Sequence, residues 1–107
     1  PADPLHVGDL VGSGVNQSGQ KWRATVLVTM HDGDEAVVPG ASVSIAWSTG
    51  PTATATTDAN GQCSFTLSNL SKQSNPSVTL TITGAAHATL SYSAAANHET
   101  SITINKP

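Results

Sequence analysis

The sequence predicts an all-β chain, two antiparallel sheets packed face to face, and three observations carry that prediction. Apolar and polar residues alternate with period 2 along several runs, as strands with one buried face require. Clusters of Gly, Pro, Asn and Asp punctuate those runs at fairly even spacing. Charged residues make up only 10% of the chain, while Ser and Thr number 27 of 107. Thr is β-branched and sits well on a half-exposed pleated face.

Residues 5–11 read as an edge strand, closed by a turn at Gly12-Ser13-Gly14. The clearest strand follows: Trp22, Ala24, Val26, Val28 and Met30 face one way, Arg23, Thr25, Leu27 and Thr29 the other. Residues 42–48 repeat the pattern with Val43, Ile45 and Trp47. Cys63, Phe65 and Leu67 form another strand, as do Val78, Leu80 and Ile82 set between threonines. Leu90 and Tyr92 mark a brief strand, and Ile102 and Ile104 the last. Leu27 and Leu90 fall on the exposed phase. Asn60-Gly61 signals a hairpin, since both residues tolerate positive φ. The other turns are Asp32-Gly33-Asp34, Pro39-Gly40, Gly50-Pro51, Ser74-Asn75-Pro76 and Ala96-Asn97. About seven or eight short strands with this punctuation fit an immunoglobulin-like antiparallel β-sandwich with almost no helix.

The size, 107 residues, suits one domain spanning 1–107, with residues 1–4 linker-like. A start without Met and an end at Lys106-Pro107 read as a piece excised from something longer. Net charge is −3, from 7 acids and 4 bases. That excludes the basic footprint nucleic acid demands and a polybasic membrane-surface segment. No apolar run is long enough to span a bilayer as a helix. Cys63 is the single cysteine, so no intrachain disulfide forms, and a small buried core residue is its expected role.

Three stretches resemble the bacterial Ig-like domain of the invasin/intimin type. They are Trp22 to Met30 continuing through His31-Asp32 into Val38-Pro39-Gly40-Ala41-Ser42-Val43, then Thr56-Thr57-Asp58-Ala59-Asn60-Gly61-Gln62-Cys63-Ser64-Phe65, and Val78-Thr79-Leu80-Thr81-Ile82-Thr83. The opening Leu5-His6-Val7-Gly8-Asp9-Leu10 is similar to the entry of Ig-like repeats appended to secreted bacterial hydrolases. The resemblance implies a secreted or cell-surface location, and a role as a non-catalytic spacer or accessory domain beside neighbouring domains of a parent chain. Its alternative is a module that binds polysaccharide or a host surface. A monomer is expected.

No residue pattern points to catalysis. No Gly-x-Ser-x-Gly elbow occurs, and the acids sit in turns rather than in facing pairs. His6, His31, His87 and His98 show no metal-ligand spacing, so scattered surface histidines are expected. Asp32, Asp34 and Glu35 share one loop, and oxygen-rich loops hold Ca²⁺, so these three are the candidate calcium ligands; the alternative is a solvated turn. No other cofactor is expected. Trp22 and Trp47 fall on the apolar phase and should be core, not a glycan-stacking platform.

Overall fold

The computed structural model describes residues 4–107; Pro1, Ala2 and Asp3, most of the linker-like segment, lie outside the described residues. Seven strands form: β1 (His6–Gln17), β2 (Lys21–His31), β3 (Ser42–Trp47), β4 (Thr52–Thr56), β5 (Gln62–Ser71), β6 (Ser77–Ala86) and β7 (Ser101–Asn105). One sheet has the order β1-β2-β5 and the other β4-β3-β6-β7, with every pairing antiparallel. The fold is an immunoglobulin-like sandwich. In the constant-type arrangement the fourth strand pairs with the fifth. Here β4 lies instead against β3, leaving three strands facing four. The helical content among the described residues is one 3-10 turn, Ala94–Ala96.

The period-2 pattern explains the core. Trp22, Ala24, Val26, Val28 and Met30 of β2 are all fully buried, and Val43, Ile45 and Trp47 of β3 meet them from the opposite sheet. Burial of each of the valines, Ile45 and Met30 is worth roughly 1.5–3 kcal/mol, the main favourable term in a chain this size. The Trp22 indole N–H donates to the carbonyl of Asn75 at 2.9 Å, so its burial leaves no orphaned donor.

Four expectations are corrected. Gly12-Ser13-Gly14 does not turn but continues β1, which runs the length of the sandwich. A Cβ on Gly12 would stand 2.7 Å from Ile104 Cγ1, and one on Gly14 2.8 Å from the Asn105 carbonyl. The glycines let β1 pass close beside β7. Asn60-Gly61 is not the turn of a paired hairpin, because it carries the chain from β4 in one sheet to β5 in the other. Of those two residues only Gly61 takes a positive φ, 72°. Residues 90–92 form no strand; the segment makes a single parallel bridge, Leu5 to Tyr92, and buries Leu90 in the core. Leu27 is half-buried rather than exposed.

The Thr57-Asp58 motif works as a clamp. Thr57 Oγ1 donates to the Val38 carbonyl at 2.7 Å and accepts the Ala41 N–H at 2.8 Å. Asp58 Oδ1 accepts from the backbone N–H groups of Asn60 and Gln62, an Asx turn. Together they pin the β2–β3 loop to the β4–β5 crossing, which fixes the end of the sandwich where the histidines lie.

Candidate metal centre

Three histidines distant in sequence meet at that end. His6 opens β1 and His31 closes β2, and antiparallel pairing makes them cross-strand partners. The register slips between Val7 and Asp9, leaving Gly8 as a bulge. The Val7 N–H, freed there, donates to Asn97 Oδ1 at 2.7 Å, and the Val7 carbonyl accepts the His98 N–H at 3.0 Å. Asn97 is held in turn, its Nδ2 donating to the Tyr92 hydroxyl at 2.8 Å. The bulge thus docks the β6–β7 connection onto β1 and sets His98 beside His6, with ring centres 5.3 Å apart. His31 lies 6.2 Å from His6 and 6.3 Å from His98.

Glu35 reaches this group from the β2–β3 loop. Asp32, itself buried, accepts the N–H groups of Asp34 (2.8 Å) and Ala36 (3.0 Å) on Oδ1. Its carbonyl accepts the N–H of Glu35. Wrapped around that carboxylate, the loop forces Glu35 to φ 63°, in the left-handed region uncommon for a residue with a Cβ. The Glu35 carboxylate then stands 2.8 Å from His6 Nε2, 3.1 Å from His98 Nε2 and 3.2 Å from His31 Nδ1. Partial desolvation raises its pKa, but the hydrogen bond with His31, the charges that His6 and His98 carry when protonated, and the close contact with His6 overcome this, and the net shift is downward.

His6 is the inner member, 2% exposed. Its Nδ1 lies 3.2 Å from the Pro4 carbonyl. A carbonyl only accepts, so Nδ1 carries a hydrogen; Nε2 has a lone pair to give once the ring is neutral, and carries a second hydrogen when the ring is charged against Glu35. Although Nε2 lies 2.8 Å from a Glu35 oxygen, the contact does not meet the geometry of a hydrogen bond. A buried ring nitrogen with no hydrogen bond is rare in folded proteins.

The expectation of scattered histidines is therefore corrected: three of the four converge, and only His87 stands apart from the group. Of the acidic trio, Glu35 joins the cluster, Asp32 holds the loop backbone, and Asp34 is exposed, the ion pairs to the histidines among the described residues all being made by Glu35. Sequence spacing hides such a site because its ligands come from both ends of the chain. Trp22, Trp47 and Phe65 are buried, so none of these three offers a stacking face, and Tyr92 is half-buried. Cys63 is buried, and burial with the nearby Asp58 charge pushes its thiol up to about 11.

Comparison with protein-family models, curated proteins and solved structures finds no match to this chain.

Proposed function

We propose that the chain is a non-catalytic Ig-like spacer or accessory domain of a larger secreted or surface bacterial protein, related to the invasin/intimin type. The observation that carries this reading is the placement of the ends. The described chain enters beside His6 at one end of the sandwich. It leaves after Asn105, which pairs with Ser77 near Gly14 at the other end. The longest dimension is 47 Å, about twice the next, 24 Å. A body of this shape, braced by β1 and β2 along its length, transmits position from one neighbour to the next.

The test places the chain between two fluorescent proteins and measures energy transfer. A rigid spacer holds the pair at one distance, unchanged by added glycans. A broad distance distribution like that of a flexible linker of equal residue count would refute the reading.

A further inference from the structure

We propose that His6, His31, His98 and Glu35 form a binding site for one divalent transition-metal ion of the zinc class. The inference is independent of the spacer reading.

The donor chemistry selects the ion. Three imidazoles and one carboxylate are ligands for zinc and its neighbours, whereas calcium takes 6–8 oxygens. The ligand atoms of His6, Glu35 and His98 all lie within 4.8 Å of one another. In a tetrahedral site with bonds of about 2.0–2.1 Å, neighbouring donor atoms stand about 3.4 Å apart. The contacts to Glu35 have that scale, 2.8 Å from His6 to Oε1 and 3.1 and 3.2 Å from His98 and His31 to Oε2, and are divided between the two carboxylate oxygens. His31 Nδ1 lies 3.2 Å from the same carboxylate but outside that group of three, so its ring would have to swing toward the ion to serve as the fourth ligand.

The surroundings favour a metal over a cluster held by protons alone. The buried Nε2 of His6 has no hydrogen-bond partner, while its Nδ1 faces the Pro4 carbonyl. That is the outer-shell contact that fixes the tautomer of a metal-ligating histidine. The ring is therefore oriented to give a lone pair where the other donors converge. Gly8 makes room for His31, since a Cβ there would lie 2.2 Å from its Nδ1. Each ligand is positioned by a separate device: the Pro4 carbonyl, the Gly8 bulge, the Asp32-centred loop and the Asn97 side-chain bridge. An ion at this point would tie β1, β2, the β2–β3 loop and the β6–β7 connection together.

The experiment titrates the full chain, stripped with chelator, with zinc chloride alone near neutral pH by calorimetry. Cobalt(II) chloride is titrated in parallel by visible absorption. The proposal predicts one ion per chain, a rise in melting temperature that chelator reverses, and the intense visible bands of tetrahedral cobalt. His98 and Glu35 are exposed, so His98→Ala and Glu35→Gln should fold and bind zinc roughly 100-fold more weakly, at or beyond the loss expected for outer-shell partners. His87→Ala should bind as the parent does, and calcium chloride should leave the melt unchanged. Absence of zinc binding, or binding that survives both His98→Ala and Glu35→Gln, would overturn it.

Discussion

The His31 imidazole occupies the space where a side chain on Gly8 would begin: a Cβ at position 8 would fall 2.2–2.5 Å from three atoms of that ring. No real Cβ tolerates such a contact, and the φ of Gly8 is one that other residues adopt. Gly8→Ala should therefore leave the β1 backbone intact and push the His31 ring outward, away from Glu35. The expected outcome is a retained fold by circular dichroism and at least a 10-fold loss of zinc affinity, the lower bound for a displaced ligand shell.

Thr57 is the second point of leverage. Replacing it with Val keeps the shape but removes the partner of the Val38 carbonyl and the Ala41 N–H. Leaving buried polar groups unsatisfied costs about 1–3 kcal/mol each. Urea unfolding of Thr57→Val should show a midpoint shifted down by a stability loss in that range, with an unchanged m-value.

In the metal-free protein, Glu35 makes stability depend on acidity. Its carboxyl sits below the ordinary 4.5 in the folded state. A carboxyl with a depressed folded pKa contributes stability above its unfolded pKa and loses it as pH falls through the folded value. The stability difference between the parent and Glu35→Gln should thus be full at about pH 5 and shrink toward zero on further acidification. Chemical denaturation with chelator present, repeated down the acid range, checks this.

For Cys63 the sign reverses. The thiol rises from an ordinary 9.0 to about 11, so the folded state holds its proton longer than the unfolded chain does. Its contribution is complete below pH 9.0 and declines as pH rises toward about 11. Cys63→Ala should flatten that decline. Iodoacetamide should modify native Cys63 only at the rate of unfolding, which mass spectrometry can follow.

Legibility in the sequence tracked the size of the inward side chains. β2 was plain because Trp22, Val26, Val28 and Met30 are bulky and strictly alternate. β4 left no trace because it is an edge strand in which only Ala55 is even partly buried, and alanine is too small to mark a period. Gly12 and Gly14 resemble turn residues, and only the nearness of Ile104 and Asn105 reveals them as strand residues trimmed for a close approach. Within the site, Glu35 was visible as an acid in a loop. The convergence of His6, His31 and His98 was not, because strand register, a bulge and the Asn97 bridge create it across most of the chain length.

The most direct measurement is anomalous X-ray scattering at the zinc edge from crystals of the chain grown with zinc chloride. The account predicts one strong peak bonded to His6 Nε2, His98 Nε2, His31 Nδ1 and a Glu35 oxygen. A peak confined to His87 or to lattice contacts, or no peak at all, would contradict it.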